Sequence, residues 1–292
     1  MRVLVCGARG QVGYELMRLA PQWAEPVGLG SAELDITDPA AVMAVVRELR
    51  PDLIINASAY TAVDRAESES AAAYAVNRDG IGHLAAEAQR LGIPLFHIST
   101  DYVFSGDASE PYREDQPTAP TGVYGASKLA GEQVLAATCM QHLILRTSWV
   151  FGSHGANFVK TMLRLGRERE ELAVVADQCG CPTSARSIAQ ALWHLAAVCR
   201  QEGRLEWGVY HFAGQPAVSW YEFAVEIFHQ ALACGLLERM PAVKPITSRE
   251  YPTPAKRPLW SVLDCSKGEA RYGLEPAVWQ EELRVMLAAL PS

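Results

Sequence analysis

The chain has 292 residues and a formal net charge of −7, and its 49% hydrophobic share is that of a globular protein rather than a disordered or fibrous one. Such a length buries a large core, as one big domain or as a domain plus a lobe, while the acidic balance gives no footprint for a nucleic-acid polymer. Met1 leads straight into an apolar strand, no apolar run approaches membrane-spanning length and no basic amphipathic stretch points to a membrane surface, so a cytoplasmic protein with a small-molecule partner is expected.

In chain order, short runs rich in β-branched residues alternate with stretches of helical periodicity, the pattern of βαβ units around a parallel sheet. The predicted strands are Arg2 to Cys6, Glu25 to Leu29, Leu53 to Asn56, Leu95 to Ser99, His142 to Arg146 and Val209 to Ala213. Predicted helices between them include Gly13 to Leu19, Pro39 to Leu49, Ala71 to Leu91 and Tyr124 to Thr138. The fold class that follows is α/β, a Rossmann-type doubly wound parallel sheet. Past Val150 the alternation weakens, with a helix over 157–169, an extended stretch over 172–176 and a helix over 187–199. A smaller mixed lobe is expected to begin here. The nucleotide-binding domain would span 1–150, completed by about 183–214, and the substrate lobe 151–182 with 215–292. Five prolines from Pro241 to Pro258 predict irregular backbone, of the kind that often walls a binding site.

Seven cysteines, an odd number, are scattered as Cys6, Cys139, Cys179, Cys181, Cys199, Cys234 and Cys265. They read as reduced, mostly buried thiols. Cys179-Gly180-Cys181 lacks the two-residue spacing of zinc and redox pairs, so no metal site is expected.

The first strand runs into Gly7-Ala8-Arg9-Gly10-Gln11-Val12-Gly13, which opens a helix. Glycines at the first, fourth and seventh positions permit a tight turn and close approach of backbone to a pyrophosphate, whose charge the helix N-terminus favours. By itself the loop could be a plain strand-to-helix turn. An acid ending the second strand would bind the adenosine ribose of NAD, yet the chain there reads Gly28-Leu29-Gly30-Ser31. Arg9 has forked donors suited to a 2′-phosphate, although a solvated loop arginine would look the same. NADPH is the expected cofactor, with NADH also usable. Asp35 and Ile36 are candidates for the adenine side, and the run Ala57, Ser58, Ala59, Tyr60 past the third predicted strand lets a cofactor lie across its end.

Tyr124-Gly125-Ala126-Ser127-Lys128 places a phenol and an ammonium four residues apart on one helical face. A carbonyl being reduced needs a proton donor, and a tyrosine with a pKa near 10 needs cationic help to serve near neutral pH. Lys128 can supply that charge and hold a ribose. Thr100, ending the run Phe96-His97-Ile98-Ser99, is placed to polarise the substrate oxygen, with Ser99 as the alternative. Such a Tyr-Lys pair alone is a weak signal; its place after a glycine loop and a strand ending in Ser-Thr strengthens it.

With these residues in hand, the sequence resembles the short-chain dehydrogenase superfamily, and within it the dTDP-4-dehydrorhamnose reductases, over nearly the whole chain. The resemblance rests on Gly7 to Gly13, Asn56 to Asp64, Ser99 to Phe104, Tyr124 to Lys128 with Gly131-Glu132, Arg146 to Val150, and Asp177-Gln178 with Pro182-Thr183. It implies delivery of a hydride from a reduced nicotinamide to C4 of dTDP-4-dehydro-β-L-rhamnose, giving dTDP-β-L-rhamnose. Tyr124 would be the general acid, with Lys128 and Thr100 as supports. Thr61, Val63, Asp101, Tyr102 and Trp149 would face the sugar, and Arg257 would meet the diphosphate. Each has a plainer reading: Val63 and Trp149 as core, Asp101 as a turn cap, Arg257 as a solvated tail. Some relatives hold a magnesium ion at a dimer contact with an acidic cluster; Glu15 fits, but Arg186 stands where an acid would be wanted, so a monomer and a homodimer both stay open. Another nucleotide-linked 4-keto-6-deoxysugar reductase or epimerase, or a regulatory subunit like the β-subunit of methionine adenosyltransferase, would share the fold. The intact Thr100, Tyr124 and Lys128 argue against the last.

Overall fold

In the computed structural model, which describes residues 1–290, the six strands read from the sequence form one parallel sheet. They are β1 (Arg2–Cys6), β2 (Glu25–Leu29), β3 (Leu53–Asn56), β4 (Leu95–Thr100), β5 (His142–Thr147) and an edge strand, Gly208–His211. Across the sheet the order is β2, β1, β3, β4, β5, edge strand. The chain thus runs outward from β1 to β2, then crosses back over β1 to lay down β3. That reversal opens a crevice between the ends of β1 and β3, the usual ligand position in a doubly wound sheet.

Both faces of the sheet are covered, which is why its strands read as near-continuous apolar runs rather than alternating ones. Val3, Val5, Leu53, Ile55, Phe96 and Leu145 face helices Gln11–Arg18 and Ala185–Glu202, whose Leu16, Ile188 and Leu192 are fully buried. Leu4, Ile54, Leu95 and Ile144 face the other way, onto Val42 and Val46 of helix Pro39–Leu49 and Leu84 of helix Ile81–Leu91. Each such side chain contributes about 1.5–3 kcal/mol of transfer free energy. A separate core joins helices Phe158–Glu168, Trp220–Ala233 and Trp279–Ala288 through Val159, Leu163, Phe223, Phe228, Trp279 and Leu283. Five of the cysteines, Cys6, Cys139, Cys181, Cys199 and Cys265, are buried, and all seven are free thiols.

The structure departs from the sequence reading in three places. The single helix expected over Ala71 to Leu91 is two α-helices joined by a π-helical turn, Ala75–Gly80. Such turns are frequent at functional sites, and this one aims buried Asn77 at the backbone of Tyr60. Within the proline-rich tail, Ala242–Ile246 is a strand paired in parallel with Glu171–Val175. A two-stranded ribbon has open edges, so Pro245 costs it little. Helix Trp220–Ala233 had not been read from the sequence, although Ser219 and Glu222 form a capping box at its start. Among the described residues, no helix is long and apolar enough to cross a membrane.

Candidate active site

The glycine loop leaves β1 at the crevice. Gly7 adopts φ +78°, and a Cβ there would lie 2.6 Å from the backbone nitrogen of Ser58. A Cβ on Gly13 would meet the Gly7 carbonyl at 2.1 Å. Only glycine lets the loop pack this tightly, with Gly10 N–H closing it on the Gly7 carbonyl at 2.9 Å. The helix that follows begins at Gln11, and no side chain caps it, so its leading N–H groups are available to an anion. This is a cradle that side chains would fill, and it fits a dinucleotide pyrophosphate. Val12 is buried beneath it, while Gln11 turns its amide oxygen to Asn157 Nδ2 at 2.9 Å. His154 bonds the Arg9 carbonyl at 2.9 Å. Gly13→Ala is expected to overpack the loop, costing about 1–3 kcal/mol of stability and weakening NADPH binding. Thermal melts and a cofactor fluorescence titration check this, and unchanged affinity would mean the loop can yield.

Arg9 is largely exposed and pairs with Glu33 at 2.7 Å, and the other oxygen of Glu33 accepts from the Gly30 N–H at 2.9 Å. An acid therefore does stand near the end of β2. It went unread because it comes three residues beyond Gly30, brought back by the turn. Asp35 spends its carboxylate on the N–H and hydroxyl of Thr37, which hold it below the usual carboxylate range. Ile36 is a buried core residue against Gly80. Beyond β3, Ala57 and Ser58 lie against Gly7, and Ala59 follows. Tyr60 is fastened by Asn77 at its backbone and by Glu69 at its hydroxyl, 2.6 Å away.

At the end of β4, buried Thr100 donates its hydroxyl to Asp101 Oδ1 at 2.9 Å and accepts from the Tyr102 N–H at 3.2 Å. The Tyr124 ring stands edge-on to Tyr102, centroids 5.5 Å apart. Helix Val123–Thr138 can come this close because Gly125 has no side chain: a Cβ there would be 2.1 Å from the Tyr102 carbonyl. Tyr124 is thereby set beside the Thr100 hydroxyl. Burial pushes the Tyr124 phenol up to about 12, opposed by the neighbouring Thr100 hydroxyl and reinforced by the nearby Asp101. Asp101 is itself pushed up to about 6, chiefly by burial, against the hydroxyls of Ser261 and Thr100. Its second oxygen, Oδ2, is buried without a partner.

Lys128 lies one turn beyond Tyr124 and is buried. Its Nζ is 3.0 Å from His97 Nε2 and donates to the Ile98 carbonyl at 2.7 Å. The sequence led us to expect an ammonium easing the Tyr124 pKa; here the amine is turned to β4 instead, and burial pulls Lys128 down to about 8 despite nearby Glu132. Ser99, the alternative to Thr100, is committed elsewhere. Its hydroxyl donates to Glu132, which also takes both arms of Arg146, at 3.0 and 2.7 Å, in a fully buried ion pair.

Thr61 is exposed and Val63 half-buried at the mouth of this region. The neighbouring Asp64 takes both arms of Arg257, at 3.1 and 2.9 Å, and a bond from the Ala255 N–H. Arg257 lines a cleft of about 690 Å³ together with Gln178, Ser248, Arg249, Tyr251 and Lys256. The irregular, proline-bearing segment thus does wall a cleft, beside the ends of the strands. Trp149, at φ +45°, stacks flat on Trp220 at 3.5 Å and covers Gly180. Glu15 is tied to Arg18, and Arg186 to Glu282 at 2.9 Å. Among the described residues no group of three or more His, Cys, Asp or Glu side chains could hold a metal ion. The sequence reading passed over Asn77 and gave no role to His97, Glu132 or Arg146, although these three stood in the stretches it quoted. All are polar residues within apolar or helical runs, and that was the available signal.

A glycine cradle at the switch point of a doubly wound sheet, together with a Thr ending β4 and a Tyr-Lys pair on helix Val123–Thr138, defines a dinucleotide-binding oxidoreductase of the extended short-chain dehydrogenase class. The RmlD substrate binding domain family matches residues 1–291, and the chain belongs to the dTDP-4-dehydrorhamnose reductase family. It is 45% identical to the dTDP-4-dehydrorhamnose reductase of Aggregatibacter actinomycetemcomitans, over 97% of each chain. Among solved structures it resembles those of the Clostridium acetobutylicum and Bacillus anthracis dTDP-4-dehydrorhamnose reductases, the latter in complex with NADP. Each has a TM-score of 0.90 and 38% identity over 99% of both chains.

Proposed function

We propose that this protein reduces the 4-keto group of dTDP-4-dehydro-β-L-rhamnose to dTDP-β-L-rhamnose, with NADPH as the preferred cofactor and NADH also usable. The observation that supports this reading is the Tyr124 phenol beside the Thr100 hydroxyl past the end of β4, in a chain of this family whose first strand runs into a glycine cradle. When bound, the reduced nicotinamide supplies the hydride that C4 receives. The chain's own residues do the rest. Tyr124 gives its phenolic proton to O4 as charge develops there, and Thr100, its hydroxyl turned from Asp101, donates a hydrogen bond to the same oxygen. Lys128 holds the ribose and, as the ammonium, stabilises the phenolate left on Tyr124. Thr61, Val63, Asp101, Tyr102 and Trp149 form the sugar's walls. Arg257, aimed by Asp64, meets the diphosphate from the cleft side. In this reading residues 1–150 with about 183–214 are the nucleotide-binding domain, and 151–182 with 215–292 the sugar-nucleotide lobe. The protein would act in the cytoplasm as a monomer or homodimer. The direct test is NADPH oxidation with freshly generated dTDP-4-dehydrorhamnose and identification of the product; absence of turnover with that substrate overturns the proposal.

Cofactor choice has its own test. Glu33 holds Arg9 over Gly30, close to where the adenosine ribose of a bound dinucleotide would lie, and a 2′-phosphate would compete with Glu33 for the same donors. Arg9→Ala is expected to raise KM for NADPH while leaving KM for NADH near its original value. Equal losses for both cofactors, or none, would remove Arg9 from that role.

A further inference from the structure

His97 lies in the middle of β4, is fully enclosed, and touches Lys128 on one side and Asn56 on the other. The bonds around it determine where its proton sits. The backbone N–H of Ser58 donates to Asn56 Oδ1 at 3.0 Å, and a backbone N–H cannot become an acceptor. That fixes the Asn56 amide, so Nδ2 is the atom 3.1 Å from His97 Nδ1. Nδ1 must therefore accept. Burial holds His97 well below the usual imidazole range, so the ring is neutral and its one proton is on Nε2. Nε2–H points at Lys128 Nζ from 3.0 Å.

Two donors cannot share that contact. An ammonium has no lone pair, whereas a free amine has one for Nε2–H and two protons besides, one of which satisfies the Ile98 carbonyl. We propose that His97 is a positioning residue which couples the charge of Lys128 to its place: the free amine docks on His97, and the ammonium leaves it for Tyr124 and the cofactor ribose. The proton comes from solvent and no covalent bond other than that N–H changes; on release the His97 Nε2–H and the Ile98 carbonyl give up their hydrogen bonds to Nζ. The role of the released ammonium rests on the reductase reading; the docking contact itself does not.

The groups around Nζ agree with two positions. On β4 it faces His97; on its own helix, Tyr124 lies one turn before and Glu132 one turn after; on β5, Arg146 is locked to Glu132, and Asp101 lies beyond Tyr124. Glu132 favours the ammonium but is already occupied by Arg146 and Ser99, and burial outweighs it, placing the crossover at about 8. Docked amine thus belongs to more alkaline solution and released ammonium to neutral solution. Tyr124 and Lys128 are four residues apart on one helix face, so the released group reaches the phenol without backbone motion.

The test uses the whole protein. Long-range ¹H–¹⁵N correlation on histidine-labelled enzyme should show His97 neutral with Nε2 protonated, and ¹³Cε-lysine spectra, assigned by loss of one signal in Lys128→Arg, should follow the Lys128 titration. In His97→Gln the amide can turn its oxygen to an ammonium, so Lys128 should titrate about one unit or more higher, and the alkaline limb of kcat/KM should move with it. A Nδ1-protonated or doubly protonated His97, or an unmoved Lys128 titration in His97→Gln, overturns the proposal. If that variant does not fold, the wild-type tautomer alone decides. Failure of the wild-type enzyme to reduce the keto-sugar would strike the reductase reading and leave both spectroscopic results standing.

Discussion

Tyr124→Phe is expected to lower kcat with the keto-sugar by about 10² or more, the usual weight of a positioned general acid, while leaving NADPH affinity within a small factor of the original. The substitution keeps the ring, and with it the edge contact to Tyr102 at 5.5 Å and the close seating of Gly125 under the Tyr102 carbonyl. Only the hydroxyl beside Thr100 is deleted. Addition of a hydride to C4 leaves an alkoxide that must be neutralised as it forms, and no other side chain set beside that hydroxyl is an equivalent donor. Asp101 is protonated below about 6 and its free oxygen is buried, so the variant's residual rate should rise as pH falls through that range if Asp101 substitutes for the phenol. Stopped-flow oxidation of NADPH, with a parallel fluorescence titration of cofactor binding, separates chemistry from binding. Near-normal kcat in Tyr124→Phe would show that another group is the acid.

The parts of this site that the sequence made legible are those where chemistry and local geometry coincide. Gly7 and Gly13 are identifiable because glycines at those spacings follow an apolar strand and open a helix, the context a pyrophosphate loop requires. Tyr124 and Lys128 are identifiable because four residues on a helix is one face. The parts that were not legible are long-range. Glu33 reaches Arg9 only through the turn after β2, and Asp64 reaches Arg257 across most of the chain. The π-helical turn at Ala75–Gly80 was hidden for a related reason. Its sequence has ordinary helical periodicity, and the turn is accommodated by a distant residue, Gly131, whose missing side chain lets the Asn77 carbonyl come within 2.0 Å of where a Cβ would be. Strand register is likewise a property of neighbours: Asn56 stands opposite His97 only because β3 and β4 pair as they do. The docked position of Lys128 could therefore not be read from the Tyr-Lys spacing alone.

Glu132→Ala is expected to destabilise the protein by about 3–5 kcal/mol, the cost of leaving one member of a buried ion pair without its partner. Glu132 and Arg146 are both buried, and their bidentate contact fastens helix Val123–Thr138, which carries Tyr124 and Lys128, to β5. Arg146 also lies over the Phe104 ring and approaches His211 Nε2 at 3.5 Å. His211 is held neutral, pulled down to about 3 chiefly by burial and by Arg146 itself, and cannot take up the lost negative charge. Ser99 would lose its acceptor as well. The stranded guanidinium, more than the missing carboxylate, sets the size of the effect, so a second substitution should reveal it: Arg146→Met in the Glu132→Ala background should restore part of the lost stability rather than add to the loss. Denaturant melts of the two single variants and the double variant measure this. Additive losses would mean that the pair is worth no more than its separate packing. Recovery in the double variant, with kcat still reduced, would place the pair's importance in where it holds the helix rather than in how much it stabilises the fold.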